Sequence, residues 1–432
     1  MNVRIRPSSL SGTVPAIASK SDVHRLLFCG VQADGPVSIE WHDASPLSDD
    51  ILATVGVLRA MGADIEERPG QFDLSPIRLV PEAPVFDCRE SGSTLRFLLP
   101  LAAARCERPA FTGSGRLPER PVRELLDAMA PNGVSASGDR LPFSLEGTLR
   151  PGLFELPGNV SSQYITGLLL ALPSLDGDSE IRLTTPLQSR SYLDITLHAL
   201  KRFGIRVSAV PDGWRIPGRQ SFRSPGTLVA DGDWSNAAFP LAAGALGTGS
   251  VSVSGLTPDS PQGDKAFLQV LEDAFGVSVR ETPAEDGTCT YTVVPPARMT
   301  GGTIDITDIP DTFPILAVLA CNAEGPTRFV GGERLRLKES DRIAAVADLI
   351  RSLGGACEES EDGLLVRGIE ETGGLKGGTV DGHNDHRIVM AAAIAASGCT
   401  GEVLLTGAEA VNKSYPSFWD VFRRLGGIAH VV

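Results

Sequence analysis

Short polar clusters open Ala- and Leu-rich apolar runs at six places along this chain of 432 residues. The clusters recur at steps of 70 to 77 residues, and their marker positions are Ser21, Ser91, Ser161, Ser235, Thr312 and Asn384. A polar residue directly before an apolar run is typical of the first turn of a helix. Because a fixed period indicates a repeated supersecondary unit, the sequence predicts six equivalent units that each open with a helix start.

The remainder of each repeat follows one order. A strand such as residues 37–39 comes after the first helix, an amphipathic helix follows a loop, and another strand closes the unit. Glycines follow the second helices at a matching period, where we expect left-handed backbone to end the helix. These glycines are Gly62, Gly133, Gly204, Gly276, Gly354 and Gly426. Two helices and several strands per unit predict an α/β (α+β) fold in which helices cover the sheets.

The length suits two compact domains of three units better than one long array, because domains rarely exceed about 250 residues. A stretch rich in Gly, Pro and Ser at 219–232 marks a candidate boundary. We expect the second half to need the N-terminal strand to complete its last unit. The predicted domains are therefore 19–228 and 1–18 with 229–432, joined by a two-strand hinge near 19 and 228 that allows closure.

The bulk composition excludes several classes of protein. The formal net charge of −14 argues against a nucleic-acid partner, because phosphate backbones require a basic face. No apolar run reaches the roughly 20 residues that span a membrane, and residues 1–14 alternate like a strand rather than a secretion signal. The seven cysteines are scattered without metal-ligand spacing, which predicts reduced thiols, a cytoplasmic location and no metal site.

Cationic and hydrogen-bonding side chains stand at most of the cluster positions and before the second helices. They are Lys20, Ser21, Arg25, Ser91, Arg96, Ser161, Ser162, Gln163 and Arg387, and then Arg120, Ser189, Arg190, Arg334, Lys338, Arg342 and Lys413. One such cluster alone is explained as a capped helix start. Because the clusters repeat, we expect them to converge into sites for a small ligand that carries phosphate and carboxylate.

Acidic residues near these cations form a second group. We interpret Asp49 and Asp385 as partners that orient an arginine. This interpretation is less favoured for Asp311, which precedes an apolar run and has no cation adjacent in sequence. The fourth cluster, Asp233-Trp234-Ser235, contains no cation, and we expect it to serve the hinge and packing.

Several of these motifs, taken in order over residues 19–416, resemble those of the 5-enolpyruvylshikimate-3-phosphate synthase family of enolpyruvyl transferases. The motifs are Lys20-Ser21 with Arg25, Glu90 to Arg96, Glu119-Arg120-Pro121, Ser161-Ser162-Gln163, Ser189 with Tyr192, Pro310-Asp311, Lys338 to Arg342, Asn384 to Arg387, and Lys413. The resemblance implies two domains of three βαβαββ units each, arranged as an inside-out α/β barrel. It also implies transfer of the enolpyruvyl group of phosphoenolpyruvate to the 5-hydroxyl of shikimate 3-phosphate, with release of phosphate.

The resemblance further implies roles for individual residues, and it implies a monomer that needs no cofactor and no metal. The catalytic residues would be Asp311 as the proton acceptor, with Glu339, Lys20 and Lys413. Shikimate 3-phosphate would be held by Lys20, Ser21, Arg25, Ser161, Ser162, Gln163, Ser189, Tyr192, Asp311 and Lys338. Phosphoenolpyruvate would be held by Lys20, Gly92, Arg120, Gln163, Arg342, Arg387 and Lys413.

Four positions depart from the family's most familiar pattern, namely Ile17-Ala18, His24, Glu90 and Arg334. They bear on the phosphoenolpyruvate pocket and therefore on glyphosate sensitivity. Two alternatives remain open at this point. One is the sister transferase that acts on UDP-N-acetylglucosamine, which carries a loop cysteine where this chain has Gly115. The other is a non-catalytic phosphometabolite-binding protein on the same fold.

Overall fold

The chain divides into two compact units in a computed structural model that describes residues 1–42, 45–247 and 249–432. The first unit contains the described residues of 18–44 and Asp49–Ala230, and the second contains Met1–Ile17, Ser45–Ser48 and Asp231–Val432. The boundaries expected from the sequence, after 18 and after 228, differ from these by one and two residues. The short segment Ser45–Ser48 was expected in the first unit and belongs to the second.

Strands and helices alternate along both units. The strands are β1 (Val3–Arg6), β2 (Gly12–Pro15), β3 (Val37–Glu40), β4 (Asp64–Arg68), β5 (Gln71–Ser75), β6 (Val85–Asp87), β7 (Ala110–Thr112), β8 (Val134–Ala136), β9 (Phe143–Gly147), β10 (Leu153–Leu156), β11 (Ser179–Leu183), β12 (Ser208–Val210), β13 (Gly213–Ile216), β14 (Thr227–Val229), β15 (Val251–Leu256), β16 (Ser278–Pro283), β17 (Cys289–Val294), β18 (Thr303–Asp305), β19 (Thr327–Val330), β20 (Cys357–Glu359), β21 (Leu364–Val366), β22 (Gly378–Asp381), β23 (Val403–Thr406) and β24 (Ile428–Val431). The α-helices are α1 (Lys20–Gly30), α2 (Asp49–Ala60), α3 (Gly92–Arg105), α4 (Arg123–Met129), α5 (Ser162–Ala171), α6 (Arg190–Arg202), α7 (Trp234–Leu246), α8 (Phe267–Asp273), α9 (Phe313–Ala320), α10 (Arg342–Ser352), α11 (Ile369–Thr372), α12 (His386–Ser397) and α13 (Phe418–Arg424).

One sheet topology recurs throughout the described residues, which form six four-stranded sheets. In the sheet ordered β6-β7-β9-β8, β6 and β7 are parallel, and β9 runs antiparallel to both β7 and β8. With helices α3 and α4 in their places, the chain order is βαβαββ. The structure therefore confirms the predicted repeat and the mixed α/β fold class.

Three of the sheets are completed by strands from distant parts of the chain. Strand β14 pairs in parallel with β3 and completes the first sheet of the first unit. Strand β2 pairs in parallel with β15, and β1 lies between β23 and β24 in the last sheet. The expectation that the second half needs the N-terminal strand is therefore confirmed.

The first helix of each repeat lies in the interior of its unit. These central helices are α1, α3, α5, α7, α9 and α12, and nearly all of their residues are buried. A helix that is apolar on all sides is stable only when packed on all sides. The polar first turns of these helices are consequently the parts of them best suited to meet a polar ligand.

The glycines after the second helices have the left-handed backbone expected of them, with φ values from 66° to 103°. Gly276 is one of these, with φ of 66° and no atom closer than 3.9 Å to the position of a Cβ. Any effect of a side chain there would thus come from backbone strain and not from a clash.

We expect Gly276→Ala to lower the free energy of unfolding by about 1–2 kcal/mol because of that strain. Gly56→Ala is the matched control, since Gly56 lies inside α2, is exposed and has nothing within 4 Å of a Cβ. It should raise the free energy of unfolding by about 0.5–1 kcal/mol. Thermal and urea unfolding of the two variants measure both changes, and equal effects would contradict the assignment of strain to Gly276.

Candidate active site

The central helices of the first unit begin with serine caps. Ser19, Ser91 and Ser161 are the N-caps of α1, α3 and α5, and each side chain accepts a hydrogen bond from a backbone amide of its helix. The remaining amides of the first turns have no partner within the helix and favour an anion. The predicted ligand residues Lys20, Ser21, Ser162 and Gln163 belong to these first turns.

Two cations of α1 are held in fixed positions. The ammonium of Lys20 donates to Asp50 at 2.7 Å. The guanidinium of Arg25 donates from Nε to Thr196 at 2.8 Å and from Nη2 to the carbonyl of Tyr192 at 2.9 Å. Burial lowers the pKa of Arg25 to about 10, opposed by Asp22, so it stays protonated at neutral pH.

A second cationic cluster lies at the start of α3. Arg96 donates from Nη1 to Gln163 Oε1 at 2.7 Å, and Gln163 donates from Nε2 to Ser93 at 2.9 Å. A methyl group on Gly92 would lie 2.7 Å from Nη1 of both Arg96 and Arg120. The predicted residues Gly92, Arg120 and Gln163 are thus brought together, and Arg96 joins them.

Buried hydroxyl groups support both clusters from behind. Thr196 Oγ1 lies 2.8 Å from Thr166 Oγ1 and links α5 to Arg25. On the other side, His24 Nδ1 lies 2.8 Å from Thr54 Oγ1, which lies 2.7 Å from Thr94 Oγ1. Burial lowers the pKa of His24 far below its usual value, so its ring is neutral and acts by hydrogen bonding.

Ser189 has an unusual backbone at the start of α6. It is the N-cap residue, has a positive φ of 52° and is 2% exposed. A non-glycine residue with left-handed backbone is uncommon and is often found at functional sites. Ser189 lies three residues before Tyr192, whose carbonyl accepts a hydrogen bond from Arg25 of α1.

Arg342 is the centre of the ionic network in the second unit. This side chain is 1% exposed and donates to Asp385 at 2.8 Å, to Asp311 at 2.7 Å and to Glu339 at 2.7 Å. Burial alone would lower the pKa of Arg342, but the carboxylates of Asp385, Glu339 and Asp311 raise it well above its usual value. Removing one partner of such a buried pair typically costs about 3–5 kcal/mol.

Arg387 joins the first turns of all three central helices of this unit. It lies in the first turn of α12 and donates to Asp311 Oδ2, just before α9, at 3.0 Å. The same Nη2 atom donates to Ser235 Oγ of α7 at 2.9 Å. The fourth polar cluster, expected to serve only the hinge and packing, therefore belongs to the candidate site.

Asp385 and Asp311 have different roles in this network. Asp385 is 0% exposed, caps α12 through the amide of Arg387 and accepts from Arg342 and Ser340. Burial raises and Arg342 lowers the pKa of Asp385, with a net decrease that keeps it ionised. Asp311 lies one residue before the N-cap of α9 and its side chain is 16% exposed. Only Asp311 of the two can be approached by a substrate.

Two lysines are the remaining predicted cations of the candidate site in the second unit. The ammonium of Lys338 lies 3.5 Å from Asp311 Oδ1, and burial lowers the pKa of Lys338 from its usual value. Lys413 donates to the carbonyl of Asn384 at 2.7 Å, at the beginning of α12. Asn384 has left-handed backbone, with a positive φ of 50°.

Sequence reasoning missed some of the residues that orient these side chains. Asp50, which the sequence reasoning did not single out, is a partner of Lys20. One step along a helix rotates a side chain by about 100°, so a helix start has to be known to the residue before its facing side chain can be named. Asp311 was expected near the cationic clusters although no cation is adjacent to it in sequence, and the structure shows its partners to be Arg342, Arg387 and Lys338.

The described part of the chain contains no group of three His, Cys, Asp or Glu residues arranged to hold a metal ion. Within the same residues, no helix is both long enough and apolar enough to cross a bilayer.

Comparison with solved structures identifies the class of fold. EPSP synthase from Acinetobacter baumannii superposes with a TM-score of 0.80 at 24% identity, covering 100% of both chains. The enolpyruvyl transferase NikO from Streptomyces tendae gives 0.77 at 20% identity, covering 99% of this chain and 98% of that one. The fold is that of the enolpyruvyl transferases.

Comparison of sequences identifies the family. The family model of EPSP synthase (3-phosphoshikimate 1-carboxyvinyltransferase) matches residues 5–422. A 3-phosphoshikimate 1-carboxyvinyltransferase from Clostridium kluyveri is 40% identical over 98% of this chain and 97% of its own length. One from Methanocorpusculum labreanum is 36% identical over 99% of both. The chain belongs to the EPSP synthase family.

Gly92→Ala should weaken the binding of an anion at the α3 cluster, because the added methyl group must displace the guanidinium groups of Arg96 and Arg120. Loss of one charge-assisted hydrogen bond of about 1.5–3 kcal/mol corresponds to a roughly tenfold to hundredfold increase in the KM for phosphoenolpyruvate. Steady-state kinetics measure this, with Gly56→Ala as the matched control. An unchanged KM would show that the cluster does not hold this substrate.

Proposed function

We propose that this chain uses its two polar clusters to transfer the enolpyruvyl group of phosphoenolpyruvate to the 5-hydroxyl of shikimate 3-phosphate, the reaction of its family. The observation that carries the assignment is the position of Asp311. Its carboxylate is partly accessible and lies among Arg342, Arg387 and Lys338. A carboxylate surrounded by cations at the ends of helices suits a reaction in which two anionic substrates must be held beside one base.

The first unit supplies groups suited to shikimate 3-phosphate. Serine hydroxyls and free helix amides bind phosphate oxygens, and lysine and arginine supply the charge. The residues proposed for this role are Lys20, Ser21, Arg25, Ser161, Ser162, Gln163, Ser189 and Tyr192, with Asp311 and Lys338 from the second unit. Arg25 and Tyr192 are joined directly by a hydrogen bond, which supports their assignment to one ligand.

Phosphoenolpyruvate needs partners for a carboxylate and a phosphate. Arginine forks bind both groups through paired hydrogen bonds. The residues proposed for this role are Lys20, Gly92, Arg120, Gln163, Arg342, Arg387 and Lys413. The close approach of Gly92 to Arg120, and the hydrogen bond of Gln163 to Arg96, support a single anion site at the start of α3.

Asp311 is proposed to accept the proton of the 5-hydroxyl. Contacts with cations favour its charged form and make it a weak base. When phosphoenolpyruvate binds Arg342 and Arg387, its negative charge offsets their field, and the affinity of Asp311 for a proton rises. The base therefore becomes effective only when its second substrate is bound.

The remaining steps follow from addition and elimination. The 5-oxygen forms a bond to C2 of phosphoenolpyruvate while C3 takes a proton from Glu339 or Lys413, which gives a tetrahedral intermediate. Glu339 or Lys413 then takes a proton back from C3, which restores the double bond as the C2–O bond to phosphate breaks and phosphate leaves. Lys20 and Lys413 are proposed to stabilise the charge that develops on the departing phosphate.

Release of inorganic phosphate tests this function. We expect release when phosphoenolpyruvate is combined with shikimate 3-phosphate. We expect none when UDP-N-acetylglucosamine replaces shikimate 3-phosphate. Gly115, where the sister transferases carry a loop cysteine, favours this outcome. Release with phosphoenolpyruvate and the sugar nucleotide, but not with shikimate 3-phosphate, would identify the sister transferase. Binding of shikimate 3-phosphate without release of phosphate from either mixture would identify a binding protein.

Asp311→Asn should keep the binding of shikimate 3-phosphate and reduce kcat by about a hundredfold to ten-thousandfold, because the amide cannot take up the proton. Asp308→Asn is the matched control, since Asp308 lies three residues earlier and is exposed. Titration calorimetry measures binding, and phosphate release measures kcat. A kcat of Asp311→Asn close to that of the control would exclude Asp311 as the base.

We also propose that the protein acts as a cytoplasmic monomer. All seven cysteines lie in the described residues as free thiols, and six of them are buried. Thiols of this kind are typical of proteins from a reducing compartment. Light scattering on the purified protein tests the oligomeric state.

A further inference from the structure

A rigid loop fixes the position of one carboxyl group that the proposed reaction does not use. Ser260 Oγ donates to Asp231 at 2.7 Å, and Gln262 Nε2 donates to the carbonyl of Gly232 at 2.8 Å. Gln262 Oε1 also accepts from the amide of Trp234 at 3.1 Å. These bonds tie residues 260–262 to the start of α7, and the 3₁₀ helix Gly263–Ala266 follows at once.

Asp264 lies in this 3₁₀ helix, and its environment is unusual for an acidic residue. It is 6% exposed, and its buried Oδ1 atom has no hydrogen-bond partner among the described residues. An ionised carboxylate without hydrogen bonds is costly to bury. Three other acids of the second unit, Asp233, Asp341 and Asp385, contrast with it because their side chains cap helices.

The charges around Asp264 are those of the candidate active site. Burial has the largest effect and raises the pKa of Asp264, and the charges of Asp311 and Asp233 raise it further. Arg387 and Lys338 lower it, and the resulting pKa is about 7. The 3₁₀ helix packs against α7 and α8. Helix α7 has no charged residue, and the acids of α8, Glu272 and Asp273, are exposed. Lys265 of the same 3₁₀ helix is exposed as well.

We propose that Asp264 is a positioning residue that must carry a proton for phosphoenolpyruvate to bind productively. The ionised form would cancel part of the positive charge of Arg387 and Lys338 that holds the anionic substrate. The protonated form leaves Arg387 bound to Asp311 and Ser235, as observed. This inference rests on the proposed function, because it assigns Asp264 to the phosphoenolpyruvate side of that site.

The pH dependence of kcat/KM for phosphoenolpyruvate tests the proposal, since this parameter reports groups of the free enzyme. Asp264→Asn replaces the carboxyl by a neutral group of the same shape that cannot ionise. The ratio of kcat/KM for Asp264→Asn to that for the wild type should rise above about pH 7, by up to about tenfold per pH unit. A ratio that stays constant from about pH 6 to about pH 9 would overturn the proposal.

Asp273→Asn is the matched control, because it makes the same chemical change nine residues away at an exposed position of α8. Its ratio to the wild type should not depend on pH. A pH-dependent ratio for this control as well would assign the effect to the general charge of the protein and overturn the assignment to Asp264.

A direct titration separates this proposal from the proposed function. Carbon-13 NMR of aspartate-labelled wild-type protein should show one carboxyl that titrates near neutral pH and is missing from Asp264→Asn. An ordinary pKa for Asp264 would overturn the inference even if the enzyme is active. Absence of turnover together with the shifted carboxyl would instead overturn the proposed function alone. The wild-type titration also remains informative if the variant does not fold.

Stability provides a further readout that does not depend on turnover. The folded-state pKa of about 7 lies above the unfolded value of about 4. The protonated carboxyl therefore supports folding at pH below about 4, and this contribution is lost as the pH rises through about 7. Above that range, Asp264→Asn should melt at a higher temperature than the wild type, and an equal melting temperature would count against the proposal.

Discussion

The contact of Arg387 with Asp311 and Ser235 joins the first turns of three buried helices, and the organisation of the second unit depends on it. Helices α7, α9 and α12 are apolar on every side, so their only polar parts are their ends. The first amides of a helix need partners that the helix itself cannot provide. Packing three such helices side by side therefore concentrates polar groups and positive dipole ends at one place. This follows from the packing alone, whatever the identity of the catalytic residues.

The balance of charges at these helix starts then determines which groups the site can bind. Arg342 is neutralised by Asp385, Glu339 and Asp311, and its pKa is raised accordingly. Asp385 is fully buried, so its partners are fixed. Asp311 is partly accessible, so an incoming anion can reach the cations that contact it. The same network thus contains one carboxylate that is fixed inside it and one that remains accessible.

The repeat, the fold class and the glycine caps could be predicted from the sequence because each depends on local periodicity. Contacts between distant residues could not. Asp311 has no cation beside it in the chain, yet Arg342 lies 31 and Arg387 76 positions away and both bind it. Arg96 shows the intermediate case, because the repeat marked it as a cation at a helix start, whereas its bond to Gln163 depends on the packing of α3 against α5. The burial of Asp264 left no signal in the sequence, since it depends on how one loop closes over α7.

Differences among the repeated helix starts explain how one architecture can serve two chemical tasks. The central helices of the first unit are capped by the neutral residues Ser19, Ser91 and Ser161. Neutral caps satisfy the amides without cancelling nearby positive charge, which suits binding of a phosphate group. In the second unit, Asp233 and Asp385 cap α7 and α12, so carboxylates already occupy the positive helix ends. One of these carboxylates also holds an arginine in place, because Asp385 accepts a hydrogen bond from Arg342. Repeated helix starts that differ in their capping residue can therefore differ in the charge that they present to a ligand.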